Sequence, residues 1–212
     1  MGLPRQVIYN GQIVTTTIFK DSIGQRVKIR KMNLEGDKQS DLKVHGGIEK
    51  AVYSYPMEHY GYWKNQYPKV DMPWGMFGEN LTTEGLIEDC VNIGDLYQIG
   101  SSKLIATQPR IPCYKLGIKF GQMDIVKRFL TSLRPGIYFK VFQEGEVGSG
   151  DNIELVYQDK DSVTVHDIVR LYIDNDDDQD METMERASRI NALPEGWKIH
   201  FKHKITQLLD KR

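Results

Sequence analysis

The sequence predicts a mostly β fold with interspersed helices, ending in a separate helical unit. Three observations carry that expectation. Short apolar, β-branched runs recur between Gly, Asp and Asn up to about residue 158. Two of these runs follow a Gly-Asp step, Gly94-Asp95 and Gly150-Asp151, which suits a tight turn feeding a strand. Beyond residue 160 the spacing of apolar residues becomes helical. Many short strands with frequent turns favour a barrel or a sandwich over a doubly wound sheet. The expected division is a β domain over 1–160 and a three-helix domain over 161–212.

In chain order, the strand candidates are Ile13–Phe19, Val27–Ile29, Ala51–Tyr55, Asp95–Ile99, Leu104–Thr107, Ile137–Gln143 and Ile153–Gln158. Two helices interrupt them. The first starts at Pro56, a favoured first-turn residue, and runs towards Tyr67, with Met57, Tyr60, Trp63 and Tyr67 near one face. The second covers about Met123 to Leu133, carries an apolar stripe, and stops before Arg134-Pro135-Gly136. Three more helices are expected at Val163–Ile173, Met181–Asn191 and Gly196–Leu209. Ser162 or Thr164 would cap the first of these, with Asp167 near its positive end. The acidic run Asp174–Asp180 has the composition of a calcium loop without its glycine and glutamate spacing, and reads as a solvated, helix-capping connection.

Composition bounds the function. The chain has 212 residues, 40% of them hydrophobic, enough for a proper core. Its net charge is −1, from 28 basic and 29 acidic side chains, so no global field steers it to nucleic acid. No run approaches the roughly 18 apolar residues of a membrane helix, and the first residues form no signal peptide. The two cysteines, Cys90 and Cys113, do not frame a disulfide scaffold. The expectation is a soluble, cytoplasmic protein with reduced thiols.

Chemistry concentrates in three segments. Gln108-Pro109-Arg110-Ile111-Pro112-Cys113-Tyr114-Lys115-Leu116 follows a strand candidate. Its prolines stiffen the loop, and Arg110 and Lys115 favour the thiolate form of Cys113, which ligates metals and attacks electrophiles. A lone cysteine also suits a small buried apolar position, which is the reading for Cys90 between acidic neighbours. The second segment, around His45-Gly46-Gly47 and Lys50, offers close backbone approach and donors for an anion, or simply a Gly-Gly hairpin. In the third, Phe77, Glu79 and Asn80 offer either a stacking and hydrogen-bonding wall for a heteroaromatic ring or a packed loop.

The order of these segments resembles the MOSC family (molybdenum cofactor sulfurase C-terminal domain), closest to its YiiM-type branch. The resemblance rests on Val44-His45-Gly46-Gly47-Ile48-Glu49-Lys50-Ala51-Val52, Tyr55-Pro56-Met57-Glu58-His59-Tyr60 with Trp63, Phe77-Gly78-Glu79-Asn80-Leu81 and the Gln108–Leu116 segment. It covers nearly the whole chain, the helical tail included. It implies a MOSC β-barrel that binds molybdenum cofactor, with Cys113 as the protein ligand of the metal. It also implies reduction of N-hydroxylated bases such as 6-hydroxylaminopurine, hence detoxification.

On that reading Arg110 and Lys115 offset the charge of thiolate, dithiolene or phosphate. The Gly46-Gly47 amides, His45 and Lys50 would hold the pterin or phosphate, Asn80 and Glu79 its ring edge, and Arg26 would add to the anion pocket. His45 or Glu79 would supply protons. Electrons would come from a separate reductase, because the chain has no dinucleotide fingerprint and no cluster ligands. The helical tail is a candidate docking surface for it and equally a candidate surface for a homodimer, and the sequence does not fix the oligomeric state. The rival readings are a non-catalytic module that binds or carries the cofactor, a metal-free cysteine enzyme with His45 as base, and an interaction protein docking through its tail.

Overall fold

A six-stranded curled sheet divides the protein into two apolar clusters, one on each face. The computed structural model describes residues 1–38, 46–161, 163–174 and 180–210. Its strands are β1 (Arg5–Tyr9), β2 (Gln12–Thr16), β3 (Val27–Ile29), β4 (Val52–Pro56), β5 (Leu81–Thr83), β6 (Leu96–Ile99), β7 (Ser102–Pro109), β8 (Ile137–Gln143), β9 (Gly145–Val147) and β10 (Ile153–Tyr157). Its α-helices are α1 (Glu58–Gln66), α2 (Tyr114–Phe120), α3 (Asp124–Thr131), α4 (Val165–Ile173), α5 (Met181–Arg189) and α6 (Glu195–Asp210). The large sheet runs β10-β6-β7-β8-β4-β5, antiparallel except for the β4–β5 pair. Strand β3 pairs with β9, and β1 with β2.

Side-chain alternation along the strands builds the two cores. Val52, Leu104, Ala106, Ile137, Phe139 and Val141 enter one cluster. Tyr53 and Tyr55, one step out of phase with Val52, enter the other, with Tyr138 packed against it. The second cluster is aromatic. Phe77 stacks on Tyr55 at 4.2 Å, and Trp63 and Phe129 face each other at 5.8 Å. Helices α1, α2 and α3 close over this side. Helices α4, α5 and α6 close the opposite side, where Val165, Ile168, Met184, Trp197 and Phe201 join the same cluster as the sheet.

The tail is tied to the sheet by directed bonds as well. Ile93 N donates to Val163 O, Val165 N to Val91 O, and Trp197 Nε1 to Gln108 Oε1 at 3.0 Å. Thr164 caps α4 in a reciprocal capping box with Asp167, and Asp180 caps α5. The rest of the acidic run, Asn175–Gln179, lies outside the described residues, as does Ser162.

Several elements differ from expectation, the short strands β5 and β9 among them. The first strand pair begins earlier, because Asn10-Gly11 makes a two-residue turn with both φ positive (50° and 76°) and so adds β1. Pro56 ends β4 instead of opening α1. A short helix, α2, begins directly after Cys113, inside what reads as a stiff loop.

Candidate functional site

Cys113 is the last extended residue before α2, at φ −128° and ψ 173°. It is half-buried and in no disulfide. Strand β7 ends at Pro109, four residues earlier, so a buried strand delivers the thiol to a fixed place. The thiol faces a cavity of about 100 Å³ between the end of β2, β4, the β7–α2 connection and β8. Among the described lining residues there are five cations, Lys20, Lys38, Lys50, Arg110 and Lys115, against one carboxylate, Asp37. The electrostatics of the cavity therefore favour an anion.

Arg110 is buried under the cavity floor. Its guanidinium lies 5.0 Å from the centre of the Tyr53 ring and 5.8 Å from that of Phe129, and it donates to the carbonyl of Phe77. Burial alone would work against its charge, but Tyr53, Tyr138 and Cys113 more than offset this and raise its pKa. Coulombic coupling is mutual, so Arg110 in turn favours the thiolate of Cys113.

Lys20 is bound by both oxygens of Asp37 at 2.6 Å. Asp37 also accepts from Gly2 N at 2.7 Å and Asn80 Nδ2 at 2.9 Å, so a carboxylate knot holds one wall together. Behind it, Lys119 donates to the carbonyls of Ile18 and Gly75. Burial, with Arg110 and Lys20 nearby, brings the Lys119 pKa down to about 8.

Lys50 reaches the cavity from the short 3₁₀ turn Ile48–Lys50. The Thr107 hydroxyl fixes that turn, lying 2.7 Å from the Glu49 carbonyl. Gly46 and Gly47 lead into it, half-buried. Gly47 has φ 106°, and a side chain there would meet nothing within 4 Å among the described residues, which fits a backbone suited to close approach. His45 lies outside the described residues.

The other sequence candidates sit elsewhere. Phe77 is fully buried in the aromatic cluster, and only its backbone carbonyl meets the site, through Arg110. Glu79 is 2% exposed and already accepts from Tyr60 Oη, Gly75 N, Phe77 N and Thr82 Oγ1. It braces the Gly75–Gly78 turns and does not line the Cys113 cavity, so neither a ring-edge contact nor proton supply there falls to it. Asn80 does line the cavity, but its amide is spent on Tyr53 N and Asp37. Arg26 is directed away, forming a two-toothed pair with Asp151 at 2.8 and 2.9 Å beside β3 and β9. Sequence reading missed Lys20, Lys38, Lys119 and Asp37. They come together only through the fold, and no local motif flags them.

Chemically, this is a single soft ligand in a cationic recess. Among the described residues no cluster of three His, Cys, Asp or Glu side chains could cage a metal. A metal held by Cys113 would take its remaining ligands from a bound anionic group, and the cationic wall suits one. The donor set therefore fits molybdenum cofactor in chemistry.

Comparison with known proteins gives the family. The MOSC domain model matches residues 41–154. The chain is 36% identical to the uncharacterized protein YflK of Bacillus subtilis, over 99% of this chain and 93% of that one. It is 35% identical to protein YiiM of Escherichia coli, over 90% and 87%. A protein named reductase from Gibberella moniliformis is 32% identical over 69% of this chain, which spans 26% of that longer protein. Among solved structures, YiiM of Geobacillus stearothermophilus superposes with a TM-score of 0.78 at 30% identity, covering 95% of both chains. With its domain match, its near full-length relatives and the curled sheet that carries Cys113, this chain belongs to the MOSC family.

Proposed function

We propose that the protein is a molybdenum-cofactor-dependent reductase of N-hydroxylated compounds, with 6-hydroxylaminopurine as the type of substrate. The observation that carries the reading is the placement of Cys113, a thiol at the mouth of a recess lined by Lys20, Lys50, Arg110 and Lys115. The reductase-named relative is consistent with it.

The reaction breaks the N–O bond, forms an N–H bond and releases water, consuming two electrons and two protons. When bound, the cofactor supplies the two-electron redox change that no side chain here can. Cys113 would ligate the metal, and Arg110 would keep the thiol ionised and ready. Lys20, Lys50 and Lys115 would hold the anionic parts of the group by charge and hydrogen bonds. Glu79 is committed to the turns behind the site, so proton delivery is assigned to the His45 segment or to water. Electrons would come from a separate reductase. The protein would clear base analogues from the cytoplasm.

The test is molybdenum content by elemental mass spectrometry, in protein made by cells that synthesise the cofactor. Wild type is expected to carry near-stoichiometric metal and Cys113→Ser very little, with reduction of 6-hydroxylaminopurine by reconstituted wild type only. Equal metal in both proteins would remove Cys113 as ligand. Bound metal without turnover, given a competent electron donor, would leave a carrier module.

A further inference from the structure

The two apolar clusters cover the sheet unequally. On the face that carries Tyr53 and Tyr138, helices α1, α2 and α3 close over β4 and the start of β8. Along β10, β6, the start of β7 and the end of β8, the same face carries Tyr157, Leu96, Ile105 and Phe142, and none of these enters either cluster. Alternation fixes their side. Tyr97, Leu104 and Val141 point into the opposite core, so their strand neighbours Leu96, Ile105 and Phe142 point away from it. A register shift in β10 sets Tyr157 opposite Leu96. Phe142 is 58% exposed and Tyr157 52%, so a large aromatic surface meets water at each side of this half-face.

The charges on this half-face are sorted. Cross-strand register makes one row of Tyr157, Leu96, Ile105 and Lys140, on β10, β6, β7 and β8 in turn. The next row holds Glu154, Gln98, Lys103 and Gln143 on the same strands. The β10 side therefore carries a carboxylate, and the β7–β8 side carries two ammonium groups. None of these three charged side chains has an ion-pair partner among the described residues. Such an order is complementary to itself. A two-fold axis parallel to the strands, between β6 and β7, reverses the strand order of a second copy. Strand β10 then faces β8 of the copy, and β6 faces β7. Leu96 meets Ile105, Tyr157 lies over Lys140, and Glu154 comes within reach of the same ammonium. An axis running across the strands would instead stack β10 on β10 and β8 on β8, setting like charges together.

We propose that this uncovered half of the sheet is the interface of a homodimer, packed face to face about a two-fold axis parallel to β6 and β7. Apolar side chains form its centre, and Glu154 of each copy pairs with Lys140 of the other at its rim. Pairing through the open edge of β10 is disfavoured, because the register shift between Leu155 and Tyr157 interrupts the ladder that a second strand would extend. The helical tail packs on the opposite face and takes no part. The interface needs no metal and no Cys113, so the proposal stands or falls separately from the reductase reading.

The experiment is sedimentation velocity of the full chain over a micromolar dilution series. Wild type is expected to show a reversible monomer–dimer equilibrium. Phe142→Glu and Ile105→Glu should each raise the dissociation constant at least about tenfold. Glu154→Lys should raise it by about tenfold, because it sets an ammonium against Lys140 of the other copy. Combining it with Lys140→Glu should restore the dimer, since the swap exchanges the charges and keeps their complementarity. Ile199→Glu, at an exposed position of α6, should change nothing. Thermal melts show which variants are folded, and the charge swap, which touches no buried residue, serves if the apolar variants are not. A monomer throughout the series would overturn the proposal. So would a dimer that folded Phe142→Glu leaves intact, or a charge swap that dimerises no better than Glu154→Lys alone. Dissociation by Ile199→Glu alone would place the interface on the tail and would equally overturn it.

Discussion

The two cysteines sit in two polar regions that the fold treats in opposite ways. Around Cys90 the polar groups are acidic and satisfied internally. Glu88 accepts from Gly136 N at 2.7 Å, and its other oxygen lies 2.7 Å from His59 Nε2. Asp95 accepts from Asn92 N and Asp159 N. Around Cys113 the polar groups are cationic, and among the described residues five cations and one carboxylate face one recess. A buried polar cluster that closes on itself specifies structure. One whose charge points in excess at a cavity is poised for a ligand.

If the acidic region is structural, breaking it costs stability. Asp95 is fully buried, and truncating it strands the Asn92 and Asp159 amides. Asp95→Ala is expected to destabilise by about 3–5 kcal/mol, measured by urea denaturation. A loss under about 1 kcal/mol would mean that water replaces the carboxylate and that the knot is not structural.

The cationic region predicts a stability that depends on pH. Lys119 has a pKa of about 8 in the folded protein, below its ordinary value of 10.5. Between those values the unfolded chain binds more protons, so stability rises with pH through the window and falls as pH drops towards 8. The total effect is up to about 3 kcal/mol. The difference in unfolding free energy between wild type and Lys119→Met, followed from pH 7.5 to 10, isolates it from the tyrosines. A difference that does not change with pH would show that the Ile18 and Gly75 carbonyls hold the ammonium without penalty.

The contrast between the regions was legible only where its parts are contiguous. Arg110, Cys113 and Lys115 share one segment, and their meeting at the recess follows from a strand end and two prolines. Lys20 and Asp37 come from different loops, so nothing local marks them. Glu79 and Phe77 read in sequence as ligand contacts because they sit in a Gly-bracketed aromatic segment. That segment contains its own explanation, since a carboxylate just after a glycine turn tends to cap the turn's amides, and Glu79 does so at Gly75 and Phe77. Arg26 reads in sequence as an anion ligand, although Asp151, in the Gly150-Asp151 turn step, is its partner. The three terminal helices were readable because their apolar period is long and Thr164 and Asp167 form a local cap. Strand β1 was missed despite the Asn10-Gly11 signal, because its exposed Ile8 pairs with exposed Ile13 and no buried face gives a pattern.

The smallest expected effect sets exposure against electrostatics in the thiols themselves. Cys90 is exposed, so access alone makes it the faster to alkylate. A hydrogen bond with Asp89, then partial burial and the charge of Asp89, raise its pKa and withhold the thiolate. Cys113 is half-buried but coupled to Arg110. Thiolate, not thiol, reacts with iodoacetamide. At pH 7.5, Cys113 in metal-free protein should therefore label several-fold faster than Cys90, a difference of about 1 kcal/mol in barrier. Peptide mass spectrometry over time reads both sites in one sample. Asp89→Asn should speed Cys90, and Arg110→Met should slow Cys113, so the two rates converge. If Cys90 is faster in the wild type and the order survives both substitutions, access governs reactivity, and the charge around Cys113 serves only the bound group.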